Sequence, residues 1–131
     1  KIIACSGYTN DEEKPDFLLD GKTDTKWCDV SQTPNYVDFD LGKAQNISGW
    51  KMVNAGQESH SYITNGCFLQ GKMNPGDEWT TLDAIDGNHA NVVSRPLNYD
   101  GKVRYIRLLV TRPTQSTGGR DTRIYELEVY K

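Results

Sequence analysis

The run Leu18-Leu19-Asp20-Gly21-Lys22-Thr23-Asp24-Thr25-Lys26-Trp27 puts carboxylates, hydroxyls and a glycine into one short segment that closes on a tryptophan. An oxygen-rich turn of this kind suits a hard cation. Ca²⁺ takes roughly six to eight oxygens at short range, from carboxylates, hydroxyls and backbone carbonyls. Gly21 gives the backbone the freedom to bend, so that carbonyls can converge on one point. The same residues also fit an Asx-type turn that holds no ion.

Other reactive groupings are scarce. The two histidines, His60 and His89, sit in no nucleophile or metal motif. Nothing marks out one carboxylate as a glycosidase acid with a second as its partner. The sequence therefore predicts a binding domain and no enzyme. Cys5, Cys28 and Cys67 allow at most one disulfide. No Cys-x-x-Cys spacing suggests zinc, and the three read as small buried hydrophobes.

The elements that would position such a turn are strands. Tyr36-Val37-Asp38-Phe39-Asp40-Leu41 alternates, with Val37, Phe39 and Leu41 on one face and two aspartates on the other. Val103 to Val110 repeats the pattern. So does Ile124 to Tyr130, with Tyr125, Leu127 and Val129 on one face and Glu126 and Glu128 on the other. Ile47 to Val53 and Cys67 to Lys72 are apolar on both faces and read as central strands. Trp79 to Ile85 and Asn91 to Ser94 carry weaker signals. Turn clusters separate them: Asn74-Pro75-Gly76-Asp77, Asp86-Gly87-Asn88 and Asn98-Tyr99-Asp100-Gly101. No stretch sustains a helical period. Short strands at this spacing predict a sandwich or barrel. Trp27, Trp50 and Trp79 each lie in or beside an apolar strand and are expected in the core. Loops 6–14, 55–65 and 111–123 are the longest, and binding residues favour loops on a rigid scaffold.

Composition narrows the partners. The 131 residues suit one domain, 1–131, and the absence of an initiator Met and of a signal-like segment suggests a module excised from a longer precursor. Fifteen basic against 18 acidic residues give a net charge of −3, the wrong sign for nucleic acid. No apolar run is long enough to span a membrane.

Four segments carry a family resemblance: Leu19 to Trp27; Val37-Asp38-Phe39-Asp40-Leu41-Gly42 followed by Ile47-Ser48-Gly49-Trp50; Val103-Arg104-Tyr105-Ile106-Arg107-Leu108; and Arg123 to Tyr130. In order and spacing the chain resembles the discoidin, or coagulation-factor type C, domain. More closely it resembles the family 32 carbohydrate-binding modules of secreted bacterial glycosidases. The resemblance implies an all-β, antiparallel, eight-stranded sandwich of jelly-roll type with one structural cation. Carried over, the Ca²⁺ ligands would be the side chains of Asp20, Thr25 and Glu126 and the carbonyls of Phe17, Lys22, Thr25 and Tyr125. It also implies a secreted, monomeric, non-catalytic module that targets an attached glycoside hydrolase, alongside neighbouring modules, to host or complex glycans.

Sugars are read in water by aromatic rings on their C–H faces and by planar polar groups on their hydroxyls. Discrimination comes from groups left unpaired by the wrong epimer. Galactose-binding members resembling this chain often carry His-Ala-Gly where it has Asn54-Ala55-Gly56. Many also carry an Arg before the phenylalanine matching Phe68, where this chain has Thr64-Asn65-Gly66-Cys67. An N-acetylglucosamine-type or other equatorial sugar is therefore expected over galactose. Asn54, in the place of the family's His, is the first candidate for a hydrogen bond to the sugar; a loop-capping role is its alternative. Tyr62 and Tyr8 are candidate platforms or simply packed loop tyrosines. Gln57, His60 and Asp29 are further candidates, each equally explained as loop polarity. The rival function is a discoidin-type adhesion domain for protein or phospholipid. Its membrane-binding members project apolar spikes flanked by basic residues; here the largest apolar members of loops 55–65 and 111–123 are Tyr62 and Ile63.

Overall fold

A computed structural model describes residues 1–31 and 33–131. Nine strands form two antiparallel sheets packed face to face. They are β1 (Ile2–Cys5), β2 (Trp27–Asp29), β3 (Asn35–Gln45), β4 (Gly49–Asn54), β5 (Gly66–Lys72), β6 (Thr80–Ile85), β7 (Val92–Pro96), β8 (Val103–Arg112) and β9 (Thr122–Tyr130). The five-stranded sheet runs β1-β3-β8-β5-β6 and the four-stranded sheet β2-β9-β4-β7. The expected eight strands are joined by the three-residue β2, which pairs with β9 through Trp27↔Ile124 and Asp29↔Thr122.

Alternation explains the layers. Val37 and Phe39 of β3, Leu69 of β5 and Ile106, Leu108 and Val110 of β8 point inward and are nearly or fully buried. They meet Trp50 and Met52 of β4 and Ile124 and Leu127 of β9 from the other sheet. Burying each such side chain contributes about 1.5–3 kcal/mol. Strands β4 and β5 are interior, as their two-sided apolar character predicts. Cys28 and Cys67 are buried, Cys5 is half-buried against the core, and all three are free thiols.

Two expectations are corrected. Trp79 is half-exposed, outside the core, with Lys72 Nζ 4.3 Å and Arg107 Cζ 4.8 Å from its ring centroid. It precedes β6 and folds over the outer face of the five-stranded sheet, where cations cover it. In β9 the alternation breaks. Val53 pairs with Glu126, but the next residue, Asn54, pairs with Ile124, so Tyr125 is passed over. This bulge turns Tyr125 to the outer face, beside Glu126 and away from Leu127.

The register has one further consequence. The C-terminal ends of β1, β2, β4, β6 and β8 and the N-terminal ends of β3, β5, β7 and β9 share one end of the sandwich. Connections 6–26, 55–65, 86–91 and 113–121 cross between the sheets there, and Thr33 and Pro34 lie at the same end. Among the described residues, no helix is long and apolar enough to cross a membrane.

Candidate functional site

The loop end is held by backbone and amide contacts. Asn88 N–H donates to Asn65 O (3.0 Å), and Asn88 Nδ2 donates to Thr64 O (3.0 Å). Gly87 N–H reaches Asn65 Oδ1 (3.2 Å), and Gly56 N–H reaches Asn91 Oδ1 (2.6 Å). Gln115 ties three loops together. Its N–H donates to Ser61 O (3.0 Å), its Nε2 donates to Ile63 O (2.9 Å) and Asn88 O (2.8 Å), and its Oε1 meets His89 Nδ1 at 2.7 Å. Loops knitted in this way lose little entropy on binding, which favours affinity.

Between the loops lies an open, polar cleft of about 440 Å³, lined by Thr33, Asn65 and segment 111–119. Its rim turns sharply at Gly118, whose φ is +85°. At Gly119 a Cβ would lie 2.0 Å from Thr114 Oγ1, so only glycine lets the rim fold back on itself. Asn65, Arg112, Thr114 and Gln115 line this cleft, and none was singled out from the sequence. Arg112, Thr114 and Gln115 come from one polar run at the end of β8 and Asn65 from another connection, and no chemical motif marks either stretch.

The expected sugar-contacting residues divide. Asn54 is fully buried. Its Nδ2 donates to Asn91 O (3.1 Å) and its Oδ1 accepts from Thr64 N–H (3.2 Å). It caps the end of β4 and cannot reach a ligand. Asp29 is equally internal, at 1% exposure. Its carboxylate accepts from Ser6 Oγ, from Ser31 N–H (2.9 Å) and Oγ (2.6 Å), and from Asn35 Nδ2 (3.2 Å). Asn35 in turn accepts from Thr122 Oγ1 (2.7 Å). Asp29 is thus the hub that joins β1, β2, β3 and β9 beneath the loops.

The other four lie at the surface. His60 and Tyr62 share a 3-10 turn, His60–Tyr62. Tyr62 carries the Arg123 guanidinium 3.8 Å from its ring centroid, and Arg123 Nη2 is 3.0 Å from Asp121 Oδ2. Arg123 pairs across the ladder with Cys28, whose carbonyl accepts Thr9 N–H. Tyr8, 47% exposed beside Thr9, therefore flanks β2 from the side opposite Tyr62. Gln57 Nε2 is turned toward the 20–25 segment, donating to Thr23 O at 3.2 Å.

That segment is the oxygen-rich turn. Gly21 takes φ +74°. Lys22 N–H donates both to Asp20 Oδ1 and to Glu126 Oε1, each at 2.9 Å, and Thr25 Oγ1 donates to Asp20 Oδ2. Asp20, Thr25 and Glu126 therefore converge, although 106 positions separate the first from the last. Phe17 belongs to the 3-10 helix Pro15–Leu19, which packs on β9. The bulge at Tyr125 takes its backbone out of the β4 ladder beside Glu126.

Glu126 is 5% exposed and accepts the Lys22 N–H. Burial first, and then the facing Asp20, pushes its carboxyl from 4.5 up to about 7. Two carboxylates, the exposed Asp20 and the buried Glu126, with a hydroxyl and nearby carbonyls fit an oxygen-coordinated cation. No cluster of three or more His, Cys, Asp or Glu able to hold a metal occurs among the described residues. The remaining donors would have to be the hydroxyl and carbonyls of this turn. A strap links turn and loops: Lys26 Nζ meets Glu58 at 3.0 Å, and Tyr125 OH donates to the same carboxylate.

The sequence matches one family. Residues 2–127 fit the F5/8 type C domain, and the chain belongs to that family. Its fold is similar to the family 32 carbohydrate-binding module of Streptococcus pneumoniae EndoD, at 24% identity and a TM-score of 0.84 over 100% of this chain and 94% of that one. It is similar to chitosan-binding module 2 of a Paenibacillus sp. IK-5 chitosanase/glucanase, solved with chitotriose (21% identity, TM-score 0.79, 98% and 94% covered). It is also similar to CpGH89CBM32-5 of Clostridium perfringens, solved with GalNAc-β-1,3-galactose (18% identity, TM-score 0.82, 100% and 94% covered). No curated protein matches the chain.

Proposed function

We propose that this domain is a non-catalytic carbohydrate-binding module that docks a glycan in the cleft between its apical loops. The observation that carries the reading is the cleft itself: open, lined by amides and hydroxyls, and held by the three-loop knot at Gln115. Such a surface hydrogen-bonds a sugar without needing to close. The similar modules solved with chitotriose and with GalNAc-β-1,3-galactose support it. In this reading the module is monomeric and extracellular and holds an attached glycoside hydrolase near its substrate. Each site binds weakly, and neighbouring modules add avidity. Its preference is for an N-acetylglucosamine-type sugar, since the histidine and arginine of the galactose pattern are absent from 54–56 and 64–68.

Of the residues expected to touch sugar, Tyr62 and His60 remain candidates beside Ser61, whose carbonyl holds Gln115, and Tyr8 at the free edge of β2. Asn65 replaces Asn54 as the amide reader, while the Gln115 amide is spent on holding the loops together. Ca²⁺ would be held by Asp20, Thr25 and Glu126 with the carbonyls of Phe17, Lys22 and Tyr125. It would neutralise the facing carboxylates and pin the turn to β9. It would supply no chemistry to a ligand. Ile63, one of the two apolar residues expected to stand out on its loop, is 3% exposed and projects no spike.

A glycan array followed by calorimetry tests the reading. Specific saccharide binding that Asn65→Ala abolishes with the fold intact supports it. An array that is blank while anionic vesicles sediment the protein contradicts it.

A further inference from the structure

The outer face of the five-stranded sheet carries a row set by register. Tyr36 pairs with Leu109, Leu109 with Phe68, and Phe68 with Ala84. All four side chains are at least partly exposed. The row ends at Phe68 and Ala84 in a second open groove of about 290 Å³, completed by Ile85, Asp86, Thr111 and Arg112. Thr111 and Arg112 also line the apical cleft. The two depressions therefore share a wall, and the surface runs from one into the other.

Gly66 lies against this wall, its Cβ position in van der Waals range of Arg112 Cβ, Ile85 O and Thr111 Oγ1. The ion pair across it, Arg112 Nη1 to Asp86 Oδ1 at 3.1 Å, joins side chains 66% and 76% exposed. A pair so solvated opens at little cost, freeing a guanidinium for hydroxyls. Phe68 stands two residues beyond Gly66, about 7 Å along the strand, which is more than one pyranose ring.

We propose that the apical site is extended: it binds a linear oligosaccharide, several consecutive sugar rings long, whose chain leaves the cleft over Thr111 and Arg112 and stacks a ring on Phe68. This rests on the glycan reading above and adds the length and course of the ligand. The chemistry alternates as a sugar chain does. Amides and hydroxyls lie on one side of Arg112, an aromatic ring and aliphatic edges on the other. An extended peptide suits this course poorly. Along it β5 is paired on both sides, by β6 and by β8, so no free backbone edge is offered.

Calorimetry would use N-acetylglucosamine and its β-1,4-linked di-, tri- and tetrasaccharides, with a galactose-terminated series in parallel. The wild type is expected to gain at least roughly tenfold in affinity between mono- and trisaccharide. Phe68→Ala and Arg112→Gln each lose about three- to tenfold on the tetrasaccharide, the size of one stacking contact. Phe68→Ala, which lies outside the apical cleft, leaves the monosaccharide unchanged. Thermal melts verify that the variants fold, and Phe68→Leu, which keeps bulk but no ring, replaces the alanine if it does not. Equal affinity for all lengths, or variants that bind the tetrasaccharide like wild type, overturns the extension and leaves the glycan reading standing. No binding in either series removes the glycan reading and the extension with it.

Discussion

At the scale of single residues, polarity on a loop misleads about exposure. Asp29 and Asn54 are the last residues of β2 and β4 and look like surface groups in the sequence. Both are buried because the loops above them need internal partners for their own N–H and hydroxyl groups. Nothing local signals this, since the partners, Ser6 and Asn35 for Asp29 and Thr64 and Asn91 for Asn54, come from other elements. Asp29→Ala strands several buried donors and is expected to cost at least about 3 kcal/mol in urea denaturation. A loss under about 1 kcal/mol would remove Asp29 as the hub. Asn54→Ala is expected to cost about 2 kcal/mol by the same measure.

A titrating residue gives a signed test. Asp83 accepts from Arg95 Nε and Nη2 and from Trp50 Nε1, all at 2.8 Å, bridging the two sheets at their open side. The Arg95 hydrogen bonds hold its carboxyl below the ordinary 3.8. A carboxylate lowered by folding contributes stability above its unfolded value and loses it as pH falls through the folded one. Asp83→Asn should therefore destabilise by a constant amount above about pH 5, and the deficit should shrink below 3.8. A deficit that persists unchanged into acid would show that the charge contributes nothing.

At the scale of elements, periodicity predicted seven of the strands and missed two. Ile2–Cys5 and Trp27–Asp29 are too short to show an alternation of their own, and the sheets recruit them at edges. It also misassigned the faces of Tyr125 and Trp79. A bulge shifts the period by one residue without changing composition, and Trp79 precedes its strand. The bulge matters because it brings Tyr125 and Glu126 to the same side, beside the Asp20 turn. If that turn holds Ca²⁺, chelation has a pH-dependent cost. Without the ion, Glu126 titrates near 7 when folded and near 4.5 when unfolded. The folded state then binds more protons in that window, and stability falls as pH rises through it. EDTA should lower the melting temperature more at about pH 8 than at about pH 5.5. A melt unaltered by EDTA at the higher pH would contradict the cation.

At the scale of the whole molecule, the fold was legible and the cleft was not. Sandwich and core follow from alternation in β3, β8 and β9, because burial of one face leaves a periodic trace. The oxygen-rich turn was legible because most of its donors are close in sequence. The cleft is assembled from Thr33, Asn65 and segment 111–119, which belong to three different connections, and no sequence pattern links Thr33 or Asn65 to that segment. Only the antiparallel register gathers those connections at one end.

The central claim is that this end docks a saccharide. Amide chemical shifts followed while an array-selected oligosaccharide is titrated test it most directly. The account predicts perturbations concentrated in 57–65, 86–91 and 111–119 and extending to Phe68. Shifts elsewhere on the sandwich, or none at any saccharide concentration, would contradict it.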